Sequence, residues 1–593
     1  MTSSSGDNPA ATRPASLLDL RLPSRQEFLT WLKFFGAPLL IGILLRVHEL
    51  SSQILLDDEW HSLNFVIGKS LWAMVSTQGL GANCIPQNIY HWILIHSLGW
   101  SEFLLRLPSV TLGIVGLVIF PSLIAKMFTQ RAGVIFAYLL AIAPCPVFYA
   151  RLCRPYSMVM FFGFLAVLAL VRWLRTGGAS GQILFSGAAF LAVYYHLYSG
   201  VPLLIPLVLL FGVSIAQHYL GMKIAGVALP RPPAFILAGV TTGILILIFI
   251  VPPYLANPWW SKVLGTDHVT SAALGNYTML LSGTNSRLCA LIFVGLIIFG
   301  LRNLVRDDRT IGVMFTAIWL VFLCYLKLAT QEGMHAAIQI ARYSIIMFPI
   351  AMLLVALAID RIVTETSPRV KVQEWGIVLP AMLLACLLWR SPFWETYQEP
   401  NNFTNHSAFQ DSYAPMDWSM SRIRDLTPMP QMGKARIPAA YLKPEILDPA
   451  PGIIEYPMFI GDPLNLYYFY QHYHGRDVVG GYVPELRFPQ LPSKDDFIYQ
   501  DTSMDYVLSR GASLHPNKMS FTTLVPVTNM GLLHQRYRGW VIIVHKELFG
   551  EMFGKPTAEG GIYQPSAMLM QFLSKNIGRP ALEDAQIAVW RIP

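Results

Sequence analysis

The sequence predicts a mostly α-helical polytopic membrane protein with about eleven transmembrane helices, followed by a mixed α/β domain at the C-terminal end. The 593-residue chain is 54% hydrophobic, and only 13% of its residues are charged. Its mean hydropathy of +0.46 is higher than a soluble domain has. Apolar runs of about 20 residues, the length that crosses a bilayer, recur as far as residue 391. Beyond that point the apolar runs are short.

The predicted spans are about 17 to 26 residues long, which suits a hydrocarbon core about 30 Å thick. With the N-terminus in the cytoplasm, every inside loop carries at least two Lys or Arg residues, as the positive-inside rule requires. The odd number of spans then places the C-terminal domain outside the cytoplasm. The spans cover about 34–50, 103–128, 132–150, 155–174, 182–199, 201–217, 233–253, 286–304, 310–329, 338–360 and 373–391.

This arrangement divides the chain into a cytoplasmic tail (1–33), a membrane domain (34–391) and an extracytoplasmic, periplasmic domain (392–593). We therefore expect an integral protein of a bacterial inner (cell) membrane. The membrane domain has two long outer loops, 51–102 and 254–285. In the first loop, amphipathic stretches at Leu63–Val75 and Ile89–Leu98 predict helices at the membrane surface.

The C-terminal domain is predicted to alternate short strands with helices. Helices are expected at Asp462–His474 and Ser566–Asn576. Strands are expected at Ile453–Ile460, Asp477–Tyr482, Asp505–Ser509, Trp540–His545 and Ile587–Arg591. The domain contains no Gly-rich phosphate loop.

The net charge of +8 does not predict a nucleic-acid partner, because the cations fall mostly in short loops and form no basic tract with interleaved aromatics. The six cysteines include no CxxC pair and lie mostly in or beside apolar runs. That pattern argues against a zinc site, a redox motif or a disulfide framework.

An acidic cluster follows the first span, where Asp57, Asp58 and Glu59 precede His61. One interpretation is that these acids cap a surface helix that begins near Trp60. Capping needs one acid, however, and three adjacent carboxylates repel one another, which raises a pKa and makes a better base. The cluster alone leaves both interpretations open.

Two arginines, Arg151 and Arg154, stand in the predicted outer turn before Tyr156, where the positive-inside rule disfavours cations. They either extend to lipid headgroups or hold a phosphate, which guanidinium binds bidentately. Arg342, beside Tyr343 near the outer end of a late span, is a second phosphate candidate, because an arginine in a span usually faces a polar interior. His196, at the end of the fifth span, is more typical of a structural residue than of a ligand.

Five motifs in order resemble the C class of membrane glycosyltransferases (GT-C), in particular bacterial relatives of protein O-mannosyltransferases and of the enzymes that modify lipid A with aminoarabinose or galacturonic acid. The matching segments are Asp58–Ser62, Ser101–Ser109, Tyr149–Tyr156, Tyr195–Tyr198 and Arg342–Tyr343 ahead of Pro349. The resemblance covers roughly residues 35–390. The segment Cys84–His91 departs from the His-Pro-Pro pattern of many relatives, and the C-terminal domain has no counterpart that we recognise.

The resemblance implies a fold, a reaction and roles for residues. A polyprenyl-phosphate sugar donor would transfer its sugar, with inversion, to a lipid, glycan or protein acceptor on the outer side of the membrane. Asp58 would be the general base, Glu59 would orient or tune it, and Asp57 is a weaker contender for either role. The donor phosphate would contact Arg151, Arg154 and Arg342, and further substrate contacts would come from His61, Tyr156, His196 and Tyr343.

Some members of the class use a divalent metal and others do not, and Asp57, Asp58 and Glu59 could supply oxygen ligands. Two other functions compete with the transferase. A transporter or lipid-handling protein would usually carry inverted repeats and broken mid-membrane helices, which the sequence lacks. A scaffold protein would work through its C-terminal domain instead.

Overall fold

A computed structural model describes the chain in sections, and all structural statements below concern them. They are residues 24–48, 50, 59, 63, 66, 69–77, 84–99, 101–256, 269–284, 286–328, 337–366, 441, 447, 450–456, 470, 474, 476–479, 538–546 and 565–593. The predicted span at 373–391, the strand at Asp505–Ser509 and most of the helix at Asp462–His474 lie outside them.

The described part is an α-helical membrane domain followed by a small sheet. Eight helices are long and apolar enough to cross a membrane, and a bent pair makes a ninth. The helices before the sheet are α1 (Arg25–Val47), α2 (Leu71–Ser76), α3 (Ile85–Ser97), α4 (Glu102–Met127), α5 (Gln130–Ile142), α6 (Pro144–Ala150), α7 (Tyr156–Thr176), α8 (Ala179–Tyr195), α9 (Leu197–Gly200), α10 (Leu204–His218), α11 (Pro232–Phe249), α12 (Val251–Ala256), α13 (Ser271–Ser282), α14 (Arg287–Asp307), α15 (Arg309–Leu328), α16 (Ala337–Tyr343) and α17 (Met347–Thr366).

The first helix begins earlier than the apolar run predicts. Ser24 caps α1 by accepting a hydrogen bond from the Glu27 backbone, and the Glu27 side chain accepts one from the Ser24 backbone. This capping box satisfies backbone donors at the helix start, so polar residues extend the helix into the segment predicted as a tail.

A proline breaks the predicted span at 132–150, and an arginine binds the backbone carbonyls that the break leaves free. The span is broken into α5 and α6 with an angle of 61°, because Pro144 cannot continue the hydrogen bonding of α5. The break leaves backbone carbonyls of α5 without helical partners. The buried Arg46 of α1 donates to two of them, those of Leu140 and Ala141, at 3.0 and 3.1 Å.

Two other predicted spans are divided differently from the hydropathy pattern. The boundary predicted near residue 200 lies at His196, whose extended backbone (φ −157°) separates α8 from α9. The region predicted as one span at 338–360 consists of the short α16, a turn, and α17. Arg342 therefore lies in the last turn of a separate short helix that precedes the spanning helix α17.

Charged residues of the predicted inner loops meet at one end of the helices, which we call the Asp360 end. Arg131 approaches Asp360 at 3.4 Å, Arg175 pairs with Asp308 at 2.9 Å, and Arg361 contacts Asp307 at 3.2 Å. These contacts join loops that the predicted alternation assigns to the same side. The opposite end, where α4 and α7 begin, contains the acidic and arginine motifs, and we call it the Glu59 end.

The helix α7 is the centre of the membrane domain. In its most apolar window 83% of the residues are buried, against 22% for α11, whose leucines and isoleucines are exposed as on a lipid-facing surface. Close packing depends on small residues. A Cβ atom on Gly300 of α14 would collide with the backbone of Leu354 in α17, so glycine permits this approach.

The C-terminal sheet has five strands in the order β2-β1-β3-β5-β4, namely β1 (Gly452–Tyr456), β2 (Asp477–Val479), β3 (Val541–His545), β4 (Leu582–Glu583) and β5 (Ile587–Arg591). The first three are parallel, and β4 and β5 are antiparallel to their neighbours. With the helix α18 (Pro565–Asn576), this confirms the predicted mixed α/β architecture. Every residue of β3 is buried, in keeping with the continuous apolar run of a central strand.

Candidate active site

Glu59 is the member of the acidic cluster that the structure describes; Asp57, Asp58 and His61 lie outside the described residues. The Glu59 side chain is fully buried (0% exposed), and both of its carboxylate oxygens accept hydrogen bonds. Arg106, at the start of α4, donates through Nε to Oε1 at 2.9 Å and through Nη2 to Oε2 at 2.8 Å. The backbone N–H of Cys153 also donates to Oε1, at 2.8 Å.

These contacts make Glu59 a structural anchor between three segments. Arg106 Nη1 also donates to the carbonyl of Leu50 at 2.9 Å, so one guanidinium joins the chain after α1 to the acidic segment. Both oxygens of Glu59 are engaged by nitrogen donors, and the positive charge of Arg106 balances its negative charge. Glu59 therefore does not fit the metal-ligand role that the sequence allowed it, and its carboxylate is not available as a base.

Arg151 caps the C-terminal end of α1. Its Nη1 donates to the carbonyls of Leu45, Arg46 and His48, with the shortest distance, 2.6 Å, to His48. The last carbonyls of a helix lack helical partners and carry partial negative charge, so a buried cation there is stabilising. This arginine accordingly has a structural role at the end of α1, whereas its phosphate contact stays a prediction from the sequence motif.

Arg154 and Arg342 lie against the same aromatic ring. The guanidinium carbons of both residues are 5.7 Å from the centroid of the Tyr156 ring, which is cation–π distance. Arg154 is in the turn before α7, Tyr156 begins α7, and Arg342 is in the last turn of α16. Folding thus brings together two of the three arginines predicted from distant motifs.

Two further aromatic side chains complete this group, His196 from the Tyr195–Tyr198 motif and Tyr343 beside Arg342. The His196 ring lies 5.5 Å from the Tyr156 ring and 5.8 Å from the Tyr343 ring. His196 Nδ1 accepts from the backbone N–H of Ser199 at 3.2 Å, and the Ser199 hydroxyl donates to the Arg342 carbonyl at 3.3 Å. We call Arg154, Tyr156, His196, Arg342 and Tyr343 the Tyr156 cluster. All five are candidate residues from the sequence.

Sequence reasoning missed two buried polar residues of α3 and the partner of Arg106. Arg106 was interpreted as structural, and its pairing with Glu59, 47 positions away, had no local signal except its place in the Leu-Arg-Leu-Pro motif. His91 was passed over because it has no recognisable metal-ligand spacing, and Gln87 was noted only as part of the segment Cys84–His91 that departs from the family pattern. Burial lowers the pKa of His91 to about 4, so its imidazole is neutral at physiological pH.

The arrangement can bind an anion at the end of a membrane helix. Two guanidiniums offer many N–H donors, and the buried Tyr156 ring excludes water, which strengthens the attraction to a negative charge. Within the described residues, no group of three or more His, Cys, Asp or Glu side chains could hold a metal ion.

Comparisons with known proteins place this geometry in a fold class. No protein-family model matches the chain, and no curated protein matches it. Among solved structures, ArnT from Cupriavidus metallidurans bound to undecaprenyl phosphate aligns with a TM-score of 0.54 and 12% identity, over 95% of this chain and 98% of that one. The chain has the GT-C glycosyltransferase fold.

Two further GT-C structures are similar. The apo form of the same ArnT aligns with a TM-score of 0.52 at 11% identity, again over 95% of this chain and 98% of that one. The apo oligosaccharyltransferase of Archaeoglobus fulgidus aligns with a TM-score of 0.44 at 10% identity, over 89% of this chain and 72% of that one. The GT-C fold predicted from the ordered motifs is confirmed, as is an integral membrane protein.

Proposed function

We propose that the chain is a membrane glycosyltransferase that moves a sugar from a polyprenyl-phosphate donor to an acceptor hydroxyl. The observation that carries this proposal is the placement of Arg154 and Arg342 on one buried tyrosine ring at the Glu59 end of the bundle. A pair of cations with aromatic neighbours suits a phosphate, and the surrounding apolar helices suit a prenyl chain. The undecaprenyl phosphate in the ArnT structure is consistent with that ligand class.

In the proposed reaction, Asp58 removes the proton of the acceptor hydroxyl as the oxygen attacks the anomeric carbon of the donor sugar. The bond from that carbon to the phosphate oxygen breaks, and its electron pair leaves with the polyprenyl phosphate. Arg154 and Arg342 stabilise the charge that grows on the departing phosphate. A single displacement of this kind inverts the anomeric configuration.

Glu59 acts in this proposal as a positioning residue for Asp58. Its carboxylate joins the acidic segment to the start of α4 and to the turn that carries Arg154. Because Asp58 immediately precedes Glu59 in the chain, we expect the ion pair to restrict where the base can lie relative to the two phosphate-binding arginines.

The proposed site lies on the outer side of a bacterial inner membrane. The Asp360 end contains the arginines of the predicted cytoplasmic loops, and the Tyr156 cluster is at the other end of the same helices. The acceptor would then be an envelope lipid, glycan or protein, and the C-terminal domain would be periplasmic.

The experiment compares envelope lipids and glycans by mass spectrometry in a deletion strain complemented with wild type, Asp58→Asn or Asp307→Asn. The proposal expects a sugar mass that disappears in the deletion strain, returns with wild type and the control Asp307→Asn, and stays absent with Asp58→Asn at equal expression. Full recovery with Asp58→Asn would exclude Asp58 as the base. An unchanged envelope in the deletion strain would count against the transferase.

A further inference from the structure

Two side chains on α3 bury polar atoms that have no hydrogen-bond partner in the part of the chain that the structure describes. They are Gln87 (1% exposed), through both Nε2 and Oε1, and His91 (0% exposed), through Nδ1. The two residues are four positions apart, so they share one face of the helix. Buried polar groups in folded proteins are nearly always paired, and each exception needs an explanation.

This face of α3 belongs to the candidate active site. His91 Nε2 contacts the carbonyl of Leu105 at 3.1 Å, directly beside Arg106. The charges of Glu59 and Arg154 both act on the His91 ring. The helix α3 also packs against α8, the helix that ends at Tyr195 beside His196. His91 is therefore close to Glu59 and to Arg154 of the Tyr156 cluster, and Gln87 lies one helical turn before it on α3.

The hydrogen bond to Leu105 fixes the chemistry of His91. A carbonyl oxygen only accepts, so Nε2 carries the proton and Nδ1 presents a lone pair. The lowered pKa of this buried ring keeps it neutral at physiological pH. The Nδ1 atom of His91 is consequently an uncharged hydrogen-bond acceptor.

Gln87 adds one donor group and one acceptor oxygen on the same face. The combined set has two acceptors, one donor group and no charge. A phosphate, which offers only acceptor oxygens at physiological pH when fully ionised, would meet two acceptors here. A pair of sugar hydroxyls, each able to donate and accept, matches all three atoms.

We propose that Gln87 and His91 form a subsite that binds the hydroxyl groups of a sugar, with the His91 Nδ1 lone pair and the Gln87 amide as its contacts. This inference rests on the proposed glycosyl transfer. The hydroxyls come either from the sugar of the donor lipid or from the acceptor, and the two sources share this chemistry.

The test uses the full-length protein in nanodiscs. The probes are undecaprenyl phosphate and a panel of undecaprenyl-phosphate sugars, namely mannose, glucose, galacturonic acid and aminoarabinose. The key variant is Gln87→Met, which keeps the approximate shape of the side chain and removes its hydrogen bonding. The matched control is Gln182→Met, since Gln182 is a buried glutamine of α8 whose Nε2 donates to the Ala234 carbonyl at 3.0 Å.

If the donor sugar fills the subsite, wild type binds at least one sugar lipid about tenfold more tightly than bare undecaprenyl phosphate, and Gln87→Met loses that preference. Affinity for the bare lipid changes less than about twofold, because the phosphate contacts are intact.

If the acceptor fills the subsite, donor preference is the same in wild type and Gln87→Met, but the complemented deletion strain makes about tenfold less modified envelope product. Unchanged binding together with unchanged product would overturn the inference and leave the transferase proposal standing. Failure of wild type to bind undecaprenyl phosphate or any sugar lipid would overturn both.

Thermal stability distinguishes a ligand-binding role from a structural one. Gln87→Met removes a buried amide that has no hydrogen-bond partner among the described residues, so its apparent melting temperature stays equal to or rises above that of wild type. Gln182→Met removes the hydrogen bond from Gln182 to the Ala234 carbonyl, so its melting temperature falls while its preference for sugar lipids is retained. A fall for Gln87→Met as large as that for Gln182→Met would mean that Gln87 supports the fold, against the inference.

Discussion

Arg106 binds Glu59 through two parallel hydrogen bonds, Nε to Oε1 at 2.9 Å and Nη2 to Oε2 at 2.8 Å, and both side chains are completely buried. A pair of this geometry is specific to arginine, because lysine cannot donate from a planar fork. The pair connects the segment that carries Asp58 to the start of α4. We therefore expect this ion pair to affect both the free energy of unfolding and the position of the proposed base, Asp58.

We expect Arg106→Met to destabilise the protein by about 3 to 5 kcal/mol, because it leaves the Glu59 carboxylate buried without its cation. The double variant Arg106→Met with Glu59→Leu should recover much of that loss, since no unpaired charge remains. The control is Arg361→Ala, which breaks a solvent-exposed pair with Asp307 and should destabilise the protein far less than Arg106→Met, because exposed ion pairs contribute little to stability. Denaturation in matched detergent measures all three. Equal costs for Arg106→Met and Arg361→Ala would contradict the anchoring role.

The contacts of Arg151 predict a stability effect at the end of α1. Arg151→Met removes the donor to three carbonyls and should cost about 1 to 3 kcal/mol. Bare undecaprenyl phosphate should bind with little change in Kd. A drop in lipid affinity as large as that caused by Arg154→Ala, without loss of stability, would instead assign Arg151 to the phosphate.

His91 predicts a loss of stability in mild acid. Its pKa is about 4 in the folded protein, and an unperturbed imidazole has a pKa of about 6.5. Between these pH values the unfolded chain binds more protons than the folded one. The contribution of His91 to the free energy of unfolding is therefore fully present above about pH 6.5. It falls by roughly 3 kcal/mol as the pH decreases to 4.

Melting temperatures measured from pH 7.5 to 4 check this dependence. His91→Asn should have a flatter profile, and the control His96→Asn, which changes an exposed histidine on the same helix, should keep the wild-type slope. Identical profiles for wild type and His91→Asn would show that another group is responsible.

The predicted topology can be tested with single cysteines in a background where the native cysteines are replaced. A cysteine at residue 593 should react with a membrane-impermeant maleimide in intact cells whose outer membrane is permeabilised. One at residue 223, in a predicted inside loop, should react only after lysis. The reverse pattern would invert the orientation.

Much of the candidate site could be predicted because two of its arginines stand at positions where membrane proteins usually avoid a cation. Arg154 stands where outer loops avoid cations, and Arg342 interrupts an apolar run, so each is visible without knowledge of the fold. The motif order then predicted that Tyr156, His196 and Tyr343 belong to the same class of site, and the structure places these rings together.

Other features depended on long-range contacts that no local pattern contains. The pairing of Glu59 with Arg106 requires the acidic segment to fold against the start of α4. The breaks at Pro144 and His196 lie inside apolar runs whose hydropathy does not change. The roles of Gln87 and His91 are visible only from the burial of their polar atoms, which composition cannot report.

The central claim is that Arg154 and Arg342 bind the phosphate of a polyprenyl lipid. Its most direct test is the Kd of undecaprenyl phosphate for purified full-length protein, measured for wild type, Arg154→Ala, Arg342→Ala and the control Arg361→Ala. Loss of one guanidinium from a buried phosphate site should weaken binding about 10- to 100-fold, equivalent to roughly 1.4 to 2.7 kcal/mol. Arg361→Ala should match wild type. Equal affinity in all four proteins would contradict the account.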